Sequence, residues 1–238
     1  AETYGYDKYL GGCHMIPNHA IIILSLLFGD DDLQKTLMIV NTAGHDTDCN
    51  SGNVGCIMGI KNGLEGLRNG PDYLTPIQDR MYCPTANGGE TQTDALTEAY
   101  KVINTAKKMN KEETVEPKNG SRFHFEMPGS VQGWRSSFKN NKNISTIVQN
   151  TEYESSIGKR ALEIKFDRVA PGVCSEAVVD TFFPQELYEL TGSARERFFQ
   201  SYNFISCPLL YSGQNIESEI IFKSNSQKPI TVTCFINV

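Results

Sequence analysis

Residues 44–53 read Gly-His-Asp-Thr-Asp-Cys-Asn-Ser-Gly-Asn. Two carboxylates, Asp46 and Asp48, stand two apart, followed at once by a thiol, Cys49, and a carboxamide, Asn50. Oxygens so closely spaced suggest a cation. An EF-hand calcium loop also needs glycine at its sixth position and a bidentate glutamate at its twelfth. Counted from Asp46, those positions are Ser51 and Ile57, which excludes that loop. A chain turning into a helix just after Asp48 would aim both carboxylates from one helix start, where the positive end of the dipole keeps them ionised. Hard oxygens placed this way suit Mg²⁺ or Mn²⁺. The simpler reading is that one of the two aspartates only caps the helix.

The elements that must position this stretch read as helices. Pro17 suits a first helical turn. The apolar run Ala20–Phe28 follows, closed by Gly29, and is apolar all round, which predicts a helix central to a bundle. Asp30 or Asp31 can cap a second helix near 32–42, with Asp30–Asp32 as a solvated acidic turn. A third helix is expected from about Asn50–Asn53 to Ile60. Gly52, Gly55 and Gly59 would suit close approach by another helix or a ligand. Thr91–Asp94 reads as a capping box for a helix over 94–109. Residues 111–120, polar and holding Pro117 and Gly120, read as a linker. Beyond it the period falls to two in segments 122–127, 162–166 and 230–236, which predicts strands of an antiparallel sandwich or barrel. The last alternating segment nearly reaches Val238, so the sandwich is expected to be cut short. The expected fold class is α+β in two domains: a partial all-α orthogonal bundle over 1–110 and a β-sandwich over 121–238.

Charge narrows the function classes. Residues 1–50 carry seven acids against Lys8 and Lys35, most of the chain's net charge of −6. Nucleic acid is an unsuitable partner for such a surface. The longest apolar run is too short to span a bilayer, so no membrane segment is expected. Seven cysteines occur without a Cys-x-x-Cys pair, which suits free thiols in a reducing, cytoplasmic setting rather than a zinc ribbon.

The wider string over residues 11–59, with Gly44, Asp46, Asp48, Cys49 and Asn50 followed by Gly55 and Gly59, resembles the C-terminal half of the ADP-ribosylglycohydrolase family. The resemblance spans about residues 5–110. It implies an all-α domain around a binuclear magnesium site and hydrolysis of ADP-ribosylated substrates. Carried over by position, Asp46 and Asp48 are metal ligands. Cys49 stands where the family places a metal-binding hydroxyl, and a thiol is a poor Mg²⁺ ligand. The family's other acidic motif has no counterpart here, since no hydroxyl residue flanks the acids of Gly29–Gln34. The chain is therefore expected to supply half a site. A complementary chain or an N-terminal segment would supply the rest, including the catalytic base.

Gly44, His14 and Asn50 are the expected substrate-side residues. His14 follows Gly11 and Gly12 and could face the ribose, or serve only as a structural hydrogen bonder. Asn18 reads as part of a helix start, and Asp79–Arg80 as a surface pair. Trp134, the only tryptophan, and Tyr211 could present aromatic faces to a sugar; the general strand pattern resembles galactose-binding sandwiches. A non-catalytic glycan-binding or scaffold module is thus the alternative function.

Overall fold

The computed structural model describes residues 3–83, 87–137, 145–167, 175–183, 187, 189–201 and 207–236. The protein is mixed α/β, with five helices and three two-stranded antiparallel ladders among the described residues.

Helix α1 (Met15–Phe28) starts where His14 accepts the Ile16 N–H on Nδ1, with Pro17 in the first turn. It ends at Gly29, where a Cβ would lie 1.9 Å from Thr36 Oγ1 and 2.8 Å from the Ser25 carbonyl. Only glycine lets α1 and the next helix approach this closely. Asp30 and Asp31 turn the chain at positive φ and pair with Lys35 and Lys61. Neither caps α2 (Leu33–Thr42); Asp32 does, accepting the Lys35 N–H at 2.6 Å. Helix α3 (Thr47–Arg68) begins earlier and runs further than its glycines suggest. It kinks at Gly63, whose φ of 64° and ψ of −162° favour glycine.

Two short connections make the three helices run up, down and up, which brings the starts of α1 and α3 to one end. Their shared core is Leu33, Val40, Val54 and Met58, flanked by Ile21, Ile22, Leu26, Leu37 and Leu67. Helix α1 is not central. It packs on α2 and α3 from one side only, and Ile16, Ile23, Leu24, Leu27 and Phe28 remain exposed.

The rest of the chain is joined mainly by polar groups. Strand β1 (Arg80–Tyr82) pairs with β2 (Gln92–Asp94), which leads into α4 (Ala95–Met109). The cap of α4 is Asp94, not Thr91: its carboxylate accepts from Thr97 N and Thr97 Oγ1, both at 2.8 Å. Segment 111–120 is tied to α4, because Asn104 and Val115 exchange two hydrogen bonds. The strand expected over 122–127 does not form. Phe125 has φ 58°, and the backbone N–H groups of His124 and Phe125 donate to the Gln132 side chain instead of to a neighbouring strand. Nor are Asp79 and Arg80 a surface pair. Asp79 accepts from Ser130 Oγ and the N–H groups of Val131 and Gln132, while Arg80 faces Asp180 at 4.0 Å.

Strands β3 (Arg135–Ser136) and β6 (Ala177–Val178) form a second ladder. The third joins β4 (Ser145–Glu152) to β5 (Arg160–Asp167), so the alternation at 162–166 is a strand. Residues 230–236 are exposed and join no ladder among the described residues. With α5 (Gly192–Ser201) included, the described strands form separate pairs and no barrel. No described helix is long and apolar enough to cross a membrane.

Candidate metal centre

The stretch that opens the sequence sits where α1 and α3 both begin. Gly44, at φ +79°, turns the chain out of α2. Asp46 stands immediately before α3 and uses no side-chain oxygen to cap it. Its carboxylate is thus available to other groups. Asn18, from the first turn of α1, donates to it through Nδ2 at 2.5 Å. The Asp46 N–H donates to the Tyr6 hydroxyl at 3.0 Å, fixing the backbone at this corner. Asp48, exposed in the first turn of α3, interacts directly with Asp46. The two carboxylates therefore share one side of the helix start.

Two thiols complete the cluster. A ligand atom from each of Cys13, Asp46 and Cys49 lies within 4.8 Å of the other two. Hydrogen bonding to Asp46 pushes the Cys13 thiol up to about 11. The charge of Asp46 likewise raises that of Cys49. Partial desolvation pushes the Asp46 carboxyl up, but hydrogen bonds from neighbours including Cys13 and Asn18 outweigh it and hold the group below the ordinary carboxylate range. Asp46 is accordingly the anionic hub, surrounded by donors that favour its charged form.

The donor set is chemically divided. Asp46, Asp48 and Asn18 offer hard oxygens, and Asn18 Oδ1 is buried with no hydrogen-bond partner. Those residues fit the protein side of a magnesium site, which takes one or two carboxylates and otherwise water or substrate oxygens. Cys13 and Cys49 do not, being soft donors.

The remaining expected residues are placed differently. Asn50 is buried at 1% exposure, with Nδ2 unpartnered, inside the helical layer rather than on its rim. His14 commits Nδ1 to capping and sets its ring edge-on to Tyr9 at 4.9 Å, the structural role of the two weighed. Trp134 packs edge-on against Phe123 at 5.8 Å with a buried, unpartnered Nε1. Tyr211 is exposed, and its backbone N–H donates to Gln214. Sequence reasoning missed Cys13 and Tyr6 and assigned Asn18 to a helix start alone. The available signal was topological: with two short turns between three helices, α1 and α3 must begin together.

Comparisons with models of protein families, with curated proteins and with solved structures return no match to this chain.

Proposed function

We propose that this chain is the C-terminal portion of an ADP-ribosylglycohydrolase-like hydrolase, contributing half of a binuclear Mg²⁺ (or Mn²⁺) site. The observation that carries the reading is the Asp46 carboxylate, left uncapped at the start of α3, kept ionised, and flanked by Asp48 and Asn18. Asp46 and Asp48 would hold metal, with Asn18 orienting Asp46 through Nδ2. Magnesium bound there would polarise a water and orient the ribose hydroxyls. As metal ligands, neither Asp46 nor Asp48 would be free to serve as the base. The base belongs to a complementary segment or chain.

The apolar exterior of α1 supports a helical domain larger than α1–α3. Ile23, Leu24, Leu27 and Phe28 lie on one helix and are all exposed. Contiguous apolar surface of this kind is usually covered in a working protein. The division into a catalytic helical part and a sugar-binding sandwich after the 111–120 segment belongs to the same proposal.

Mn²⁺ titration by calorimetry, on the intact chain and on Asp46→Ala/Asp48→Ala, tests the reading. Weak binding lost in the double variant is expected, together with little or no ADP-ribose release by this chain alone. Tight binding unchanged by the double substitution would sink the assignment, as would no binding by the intact chain.

A further inference from the structure

We infer that Cys13, Asp46 and Cys49 form a site for a thiophilic divalent cation of the zinc class, distinct from the magnesium proposal in every ligand except Asp46. Two thiols and one carboxylate converge from two separate parts of the chain, the segment before α1 and the first turn of α3. Tetrahedral zinc with bonds of about 2.0–2.3 Å places its ligand atoms about 3.3–3.8 Å apart. The three atoms already lie within 4.8 Å of one another, so a contraction of about 1 Å closes the set.

The surroundings suit such a site. Cys13 and Cys49 are exposed, leaving room for water as a fourth ligand. This is the open arrangement of three protein ligands plus solvent. Cys13 lies in a loop after Gly11, at φ +97°, and Gly12, neither with an atom near its Cβ position, so the loop can move inward. Asn18 donates to Asp46 Oδ2, as a partner that orients a ligand, and its buried Oδ1 has no hydrogen-bond partner.

The inference does not rest on the hydrolase reading, because the donors converge whatever the helical layer does. It adds a consequence: a zinc-class ion held by both thiols would occupy the Asp46 oxygen that magnesium needs. Such an ion would be an antagonist of the magnesium site.

Co²⁺ absorption and Zn²⁺ calorimetry on the reduced, intact chain test it. One Co²⁺ per chain with a thiolate-to-cobalt charge-transfer band, displaced by Zn²⁺, is expected. Cys13→Ser and Cys49→Ser should each weaken Zn²⁺ at least about 100-fold, more than a change among orienting partners does. Asp48→Asn should retain the band, whereas it should impair Mn²⁺ binding. That contrast separates failure of this inference from failure of the magnesium proposal. Far-UV circular dichroism checks that the serine variants keep their helices; both positions are exposed. A cobalt spectrum without thiolate character overturns the inference. So does one that survives Cys13→Ser/Cys49→Ser with its full intensity, because the sulfur would then come from another cysteine.

Discussion

The helical layer α1–α3 and the region from β1 to β5 hold together by opposite means. In the first, the cluster on which the helices pack is apolar, Leu33, Val40, Val54 and Met58, with Ser25, Thr36 and Asn50 as the buried polar side chains beside it. In the second, Thr91, Gln92, Thr93, Asp94, His124, Ser130, Gln132 and Arg135 are buried, and the apolar members are few. Gln132 alone accepts two backbone N–H groups and donates to the Arg122 carbonyl. Arg135 makes two 3.0 Å bonds to Asp180. An apolar core tolerates an exposed, chemically busy rim, because contacts below it do not depend on how the rim is charged. A polar interior depends on the protonation of its members. The candidate metal centre lies on the rim of the first kind of structure.

Acid should break this comparison most, since it acts on several groups at once. Burial pushes Glu126 up, but backbone N–H groups of Lys159 and Arg160 and the ammonium of Lys118 hold it below its ordinary 4.5. Burial raises Glu98 as well, and Thr93 and Lys101 outweigh it. Gln149 and Lys165 depress Glu163. His124, desolvated, is pushed below its ordinary 6.5. In each case the unfolded chain binds the proton more readily. Stability from the carboxylates is therefore present above 4.5 and lost as pH falls through their lower folded values. That from His124 is present above 6.5 and lost as pH falls below it. Among described residues of α1–α3 only Asp46 is so depressed. Trp134 emission should change at higher pH than the amide exchange of α1–α3. Simultaneous loss, or earlier loss in the helices, would break the contrast.

Next in size are two substitutions, one per region. Leu33→Ala should cost about 2–5 kcal/mol by cavity formation in the helical core. Asp94→Ala removes the α4 cap and leaves the Arg122 guanidinium and two Thr97 donors without their acceptor, for about 2–3 kcal/mol. Denaturant unfolding measures both. The sharper readout is pH. The Leu33→Ala cost should be the same near pH 5 and pH 7, whereas that of Asp94→Ala should grow in acid, because the Asp94 charge favours the protonated form of His124.

The same contrast explains what could be read from the chain. Helices α1 and α2 were legible because Pro17, Gly29 and the apolar spacing are local signals. The start of α3 was legible in kind, as Asp46 and Asp48 at a helix start, though four or so residues late, because its glycines weigh against a helix that tertiary packing imposes. Segment 122–127 was misread for a reason of the second kind: Gln132, ten residues away from Arg122, supplies what a neighbouring strand would have given. Period-two alternation reports which faces are apolar and says nothing about a side chain capturing the backbone. Cys13 could not be paired with Asp46 from spacing, since 33 positions separate them and only the up-down-up path joins them.

The smallest effect is expected on the β4–β5 ladder, where charge and packing can be told apart. Lys165 pairs with Glu163 at 3.1 Å on one face of β5, and directly across lie Ile147 and Gln149. Both charged side chains are substantially exposed, so water and salt screen the pair. Glu163 also keeps Gln149, whose Nε2 donates at 2.5 Å, when Lys165 is gone. Lys165→Ala should therefore cost no more than about 1 kcal/mol. What it does cost should come from the aliphatic stem that lies opposite half-exposed Ile147. Lys165→Met keeps the stem without the charge and should restore most of the loss, with no dependence on salt. If Met is as damaging as Ala and added salt reproduces the loss in the unsubstituted protein, the ladder is held by charge. The polar logic of the interior would then extend to the surface of this region.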